Sequence, residues 1–193
     1  MKISAINNKI FNDIKQRYLK GAEDGKKYMG YWYRNIEDVR NTGINYVMSH
    51  DELIEYVKCS TDIVYFIETY CLVPTIHGSK KIKLYDYQKR MIEHFIKNRF
   101  SIFYMSRQLG QTTILLLLQI HSLIFKKNIH ISVLDIKNFD YERFDIIFRS
   151  IPFFLKPGAD EYNRNNVSFE NGNWIKFENA SVKNLEKETN NLI

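Results

Sequence analysis

The order of elements between residues 101 and 151 constrains the fold more than any other feature of this chain. Residues 101–105, SIFYM, are a short apolar run rich in aromatic residues and read as a strand. SRQLGQ follows as a loop, and residues 112–127, TTILLLLQIHSLIFKK, read as a strongly apolar helix. IHISVL at 129–134 is a second strand candidate. Residues 139–151 predict an amphipathic helix with Phe144, Ile147, Phe148 and Ile151 on one side, stopped by Pro152 and by Pro157-Gly158. Strand, loop, helix, strand, helix is a βαβα order, which calls for an α/β fold with a parallel sheet and helices on its faces. Further on, Val167-Ser168-Phe169 and Trp174-Ile175-Lys176-Phe177 flank Asn171-Gly172, the strongest short hairpin signal. Two or three buried strands are few for an α/β core, so an incomplete sheet is expected.

The other segments arrange themselves around that unit. Residues 1–50 are polar and aromatic, punctuated by Gly21, Gly25, Gly30 and Gly43, and predict a small, mostly helical appendage. Residues 51–181 form the expected domain, and 182–193 a polar tail. Within the domain, residues 51–70 have helical apolar spacing through Leu53, Ile54, Val57, Ile63, Val64, Phe66, Ile67 and Tyr70, ended by Pro74 and Gly78. LYDYQKRMIEHFIKN predicts a helix capped by Asp86, with Met91, Ile92, Phe95 and Ile96 on its buried face.

Composition narrows the function classes. With 193 residues, 45% of them hydrophobic, the chain can bury a core without staples. Cys59 and Cys71 match neither a metal spacing nor a disulfide framework, so a reduced setting is the default. No apolar signal core opens the sequence, and the longest apolar run, 114–118, is too short to span a bilayer; a soluble chain without a membrane partner is expected. The net charge of +6 suits a polyanionic partner, but the basic residues are spread out. Lys80, Lys81 and Lys83 are the densest cluster near a candidate site, and a solvated surface is their simpler reading.

Ser106-Arg107-Gln108-Leu109-Gly110-Gln111-Thr112-Thr113 sits where a phosphate-binding loop must sit, between a strand and a helix N-terminus. Backbone N–H groups and the helix dipole there point at an anion. Gly110 lets the backbone approach a phosphate, and Thr112, with Thr113 beside it, is placed to ligate Mg²⁺ through its hydroxyl. Measured against G-x-x-x-x-G-K-[ST], two features are missing: Met105 takes the place of the first glycine and Gln111 that of the lysine. Upstream, Tyr85-Asp86-Tyr87-Gln88 offers an amide that can donate to and accept from adenine at once, and the Tyr87 ring to stack on a base. The plainer roles are a loop that only caps a helix, Tyr85 and Tyr87 as core aromatics, and Gln88 as a solvent-facing helix residue.

The stretches DIVYFIETYC (62–71), LYDYQKRM (84–91), SRQLGQTT (106–113), IPFFLKPG (151–158) and FENGNWIKFENAS (169–181) occur in this order. On these strings, residues 62–181 resemble the N-terminal ATPase domain of the large terminase subunit of myovirus-type tailed phages, the motor that pumps DNA into the prohead. KKYMG and KCSTDIVYF extend a weaker likeness upstream. The resemblance implies a P-loop NTPase fold of the ASCE type, with ATP and Mg²⁺ as cofactors. Double-stranded DNA, the portal and the small terminase subunit are the implied partners, in the host cell cytoplasm. It places Gln88 at the adenine-recognition position with Tyr87 nearby, and Ser106, Arg107, Gln108, Leu109, Gly110, Gln111, Thr112 and Thr113 in the nucleotide-binding loop. Arg107 matches an arginine that senses or contacts the γ-phosphate, and Thr112 the Mg²⁺ ligand.

Two departures qualify what the resemblance implies. Gln111 stands where the family has the phosphate-loop lysine, whose charge stabilises the transferring phosphoryl group. A hydrogen bond to a charged group contributes about 1.5–3 kcal/mol; a neutral amide keeps the bond and loses the charge. The likeness also stops after Ser181, before the family's Mg²⁺-organising Asp, catalytic Glu, coupling motif and nuclease domain. Asp135 in ISVLDIKN follows an apolar strand, but the one that lacks the Asp in this family. The expectation is a truncated terminase-like ATPase domain without turnover, with no catalytic residue assigned. A second expectation, of a different class, is a non-catalytic interaction protein whose unpaired sheet edge docks on a complementing fragment, a second copy, packaging components or DNA. A piece of a split or decayed gene is the third.

Overall fold

The computed structural model describes residues 32–44, 46–106, 108–135 and 140–179. They form helices α1 (His50–Thr61), α2 (Ile63–Tyr70), α3 (Asp86–Lys97), α4 (Gln111–Phe125) and α5 (Asp140–Ser150), and strands β1 (Leu72–Thr75), β2 (Gly78–Lys81), β3 (His130–Asp135), β4 (Ala159–Tyr162), β5 (Asn166–Phe169) and β6 (Trp174–Asn179). Strands β1 and β2 make a separate antiparallel hairpin. The main sheet has the order β3-β6-β5-β4.

Helix α4 is apolar on nearly every side. Ile114, Leu116, Leu117, Leu118, Ile120, Leu123 and Ile124 are all buried, as expected for a helix at the centre of a core. Each such side chain contributes about 1.5–3 kcal/mol on leaving water, so packing rather than propensity holds this helix. Its C-terminal turn meets α1 and α2 through an aromatic cluster: Phe125 lies 5.4 Å from Phe66 and 5.1 Å from Tyr56, ring centre to ring centre. His121 Nε2 lies 3.0 Å from the Cys59 carbonyl of α1, and burial pulls its pKa below the usual histidine value.

The sheet is mixed, not parallel throughout. Only β3 and β6 run parallel, because Asn171-Gly172 reverses the chain between β5 and β6 and β4–β5 is a second antiparallel pair. Strand alternation puts Val167, Phe169, Ile175, Phe177 and Tyr162 toward α5, where Phe148 meets Phe169 at 5.1 Å and Phe144 meets Phe177 at 5.5 Å. The other face presents His130 stacked on Trp174 at 4.8 Å, with Lys176 over the same indole.

Several expectations about elements change. The helical stretch over 51–70 divides at Asp62, whose carboxylate accepts the Tyr65 N–H at 2.9 Å and caps α2. Asp86 is the first residue of α3, not its cap; Tyr85 precedes it and its N–H is accepted by Gln88 Oε1 at 3.1 Å. On α3, Met91 and Ile92 are buried while Phe95 and Ile96 are exposed. Residues 101–105, expected as a strand, have no regular secondary structure and pair with no strand among the described residues. Their side chains still alternate: Phe103 and Met105 pack against the core, whereas Ile102 and Tyr104 are 96% and 101% exposed.

Residues 32–44, within the segment expected as an appendage, lie against the sheet and α5. Val39 is fully buried, and Ala159 N–H donates to the Arg40 carbonyl at 2.8 Å. Lys156, 3% exposed, donates through Nζ to the Asp38 and Arg149 carbonyls, both at 2.7 Å. Glu170 accepts the Gly158 N–H at 2.9 Å and the Gly43 N–H at 3.1 Å. The rest of the expected appendage, residues 1–31, and the expected tail, 182–193, lie outside the described residues.

Candidate functional site

The loop between residues 105 and 111 turns through two left-handed residues, Gln108 at φ +67° and Gly110 at φ +76°. Gly110 is the N-cap of α4, and no side chain caps that helix. The first N–H groups of an α-helix have no partner inside it, and its N-terminus carries a partial positive charge. The first turn of α4 therefore offers N–H donors to whatever occupies the space before it.

That space is a cavity of about 490 Å³, within the size range of small-molecule clefts. Its lining residues are Met105, Ser106, Gln108, Leu109, Gly110, Gln111, Thr112, Thr113 and Arg143. The structure thus brings together on one cavity all the described residues of the loop proposed from sequence. Arg107 lies outside the described residues.

Tyr87 and Gln88 are brought to the same loop from below. Tyr87 Oη donates to the Leu109 carbonyl at 2.9 Å, and Gln88 Nε2 donates to the same oxygen at 3.3 Å. With its Oε1 accepting from Tyr85, the Gln88 amide is engaged at both ends and the residue is 8% exposed. The plainer expectation of a solvent-facing Gln88 does not hold. Tyr85 and Tyr87 stack at 5.8 Å with 8° between planes, and Tyr85 is exposed. In this arrangement Tyr87 and Gln88 hold the loop backbone; neither lines the cavity. Behind them, Glu68 fixes the approach to α3. Its carboxylate pairs with Lys83 at 2.7 Å and accepts the Leu84 N–H at 3.1 Å, contacts that hold its pKa below the usual carboxylate range. Lys83 is thereby committed to Glu68, while the Lys80 and Lys81 end of β2 is solvent-exposed.

The donor set fits a polyphosphate. Backbone N–H groups, two threonine hydroxyls, a serine hydroxyl and the Gln111 amide are all carried by one loop and one helix turn. For Mg²⁺ the fit is narrower. Among the described residues no group of three or more His, Cys, Asp or Glu side chains could hold a metal ion. A magnesium ion here would have Thr112 and the phosphates themselves as ligands, without the carboxylate that commonly joins them in nucleotide sites. Asp135 closes β3.

Sequence reasoning missed Arg143. It lies on α5, outside the apolar stripe of Phe144, Ile147 and Phe148 that made the helix legible. In the sequence it is one more charge on a solvated face, with no local signal that the packing of α5 would carry it to the loop. No protein-family model matches the chain.

Proposed function

We propose that this chain is a nucleotide-binding domain related to the ATP-driven motor of phage DNA packaging, and that it binds ATP with Mg²⁺ without turning it over. The observation that supports this reading best is the cavity at the N-terminus of α4, lined by Ser106, Gln108, Leu109, Gly110, Gln111, Thr112 and Thr113. A left-handed Gly110 before a helix that no side chain caps supports the phosphate-loop reading of SRQLGQTT. The P-loop NTPase type of this α/β fold belongs to the same proposal, as do Thr112 as Mg²⁺ ligand and DNA, portal and small subunit as partners in the host cytoplasm.

The absence of turnover follows from Gln111. Phosphoryl transfer is accelerated almost wholly by positioning and electrostatic stabilisation, and a neutral amide at this place withdraws a charge from the developing transition state. Calorimetric titration with ATP and Mg²⁺ tests the proposal. Binding that Thr112→Ala removes is expected, with no phosphate release. Phosphate release abolished by Thr112→Ala would overturn the second half, and absence of binding the first.

A second reading, a non-catalytic docking protein, has one observation in its favour. Residues 101–105 have strand-like composition, pair with no strand among the described residues and expose Ile102 and Tyr104 almost completely, which suits a segment that pairs with a partner. Light scattering across concentration, alone and with packaging components, separates the readings.

A further inference from the structure

We infer that Arg143 supplies, from outside the loop, the positive charge that Gln111 withholds, so that the cavity binds the nucleotide's phosphates through a relocated cation. The inference rests on the nucleotide reading of the same cavity. Two observations carry it. Arg143 lines the cavity together with Gln111, Thr112 and Thr113, although it comes from α5 and is separated from them by β3. And two of the carboxylates on its own helix are paired elsewhere, while the side chain of Asp140, the third, is not among those described. Glu142 pairs with Arg164 at 3.6 Å, and Asp145 pairs with Arg149 at 3.5 Å and accepts from Tyr162 Oη at 2.9 Å. Among the described residues no hydrogen bond or ion pair engages the Arg143 guanidinium.

The chemistry favours arginine for this task. Its planar fork of N–H donors matches two phosphate oxygens at once and keeps its charge at any working pH. A lysine in the loop approaches the phosphates along the helix N-terminus; a cation on α5 approaches from across the cavity. Such a cation can hold a bound anion. It does not reproduce the placement of charge that accelerates transfer, so binding without turnover is the expected combination.

The test is MgATP titration of five chains: unaltered, Arg143→Gln, Arg143→Lys, Gln111→Lys and the double variant Gln111→Lys/Arg143→Gln, with thermal melts to confirm that each folds. Loss of the charged contact is expected to weaken Arg143→Gln by about 10- to 100-fold. Arg143→Lys keeps the charge without the fork and is expected to fall between Arg143→Gln and the unaltered chain, and the double variant regains affinity because a charge then stands at position 111. If Arg143→Gln binds as tightly as the unaltered chain, the inference is wrong and the nucleotide reading stands. If the unaltered chain is silent while Gln111→Lys binds, the inference is also wrong, and the nucleotide reading shrinks to a scaffold that needs its lysine. If Arg143→Gln is weak and the double variant stays weak, Arg143 is not a replacement for the loop charge. If all five are silent, the nucleotide reading fails and takes the inference with it.

Discussion

Gly110, at φ +76°, occupies backbone space that a Cβ makes costly, and a Cβ built there stands 3.1 Å from Gln88 Nε2. Gly110→Ala is expected to lower stability by about 1 kcal/mol, read by urea denaturation, and to loosen the Gln88 hold on Leu109. Lys156 imposes a different demand. Burial pulls its pKa down to about 8, opposed by the nearby Asp38 charge. Between that value and the unfolded lysine value of about 10.4, the unfolded chain holds a proton that the folded chain does not. Stability contributed at this site is therefore lowest below pH 8 and rises with pH through the window. Denaturation at pH values from about 8 to 10 should show a gain of roughly 1–3 kcal/mol in the unaltered chain relative to Lys156→Met. The buried Cys59 and Cys71 thiols and the Tyr162 phenol, all pushed up by desolvation, act with the opposite sign as pH rises, and they cancel in the difference between the two chains. A flat difference between the two chains would show that Lys156 is hydrated in solution.

At the scale of elements, the join between α4 and β3 depends on a residue far along the chain. Asn173 is fully buried, donates from Nδ2 to the Leu123 and Lys126 carbonyls at 2.7 and 2.8 Å, and accepts the Ile129 N–H at 2.7 Å. It thus satisfies the orphan carbonyls at the end of α4 that a local C-cap would otherwise serve. Asn171 Nδ2 adds a donor to Leu123 at 2.8 Å. Asn173→Leu leaves these groups unpaired and should cost about 3 kcal/mol, seen as a lower Tm; a neutral result would mean that water replaces the amide. The same hairpin shows how uneven legibility is among elements. Asn171-Gly172 marks the turn between β5 and β6 in the sequence, and α4, β3 and α5 follow from periodicity close to their observed bounds. Nothing local marks Asn173 as a cap for a helix that ends at Phe125. The break at Asp62 was likewise hidden, because the apolar spacing on its two sides runs on without a glycine or proline.

At the scale of the molecule, the described sheet has β3 at one edge, and residues 101–105 pair with none of its strands. Ile102→Lys with Tyr104→Lys changes only exposed side chains. It should shift the stability of the chain alone by less than about 0.5 kcal/mol while abolishing any association made through strand pairing, measured by melt and light scattering together. A loss of about 2 kcal/mol or more would instead mean that these side chains pack in solution. The candidate site is a whole-molecule property in the same sense. Loop and helix come from one stretch, their hold from Tyr87 and Gln88 on α3, and the added cation from Arg143 on α5.

By itself the sequence determined what depends on neighbours in the chain. The apolar run of α4, the stripe of α5, the Asn-Gly reversal and the loop residues from Ser106 to Thr113 all rest on periodicity or on backbone preferences that act over a few residues. Only the tertiary structure decided what depends on pairing at a distance. The sheet is mixed because β6 returns beside β3; residues 101–105 stay single because pairing needs a partner strand as well as strand propensity. Gln88 turns inward because the Leu109 carbonyl is there to receive it, and Arg143 reaches the cavity because α5 packs where it does. Hydrogen bonds and charges between distant segments leave no period in the sequence, which is why the loop could be read there and its surroundings could not.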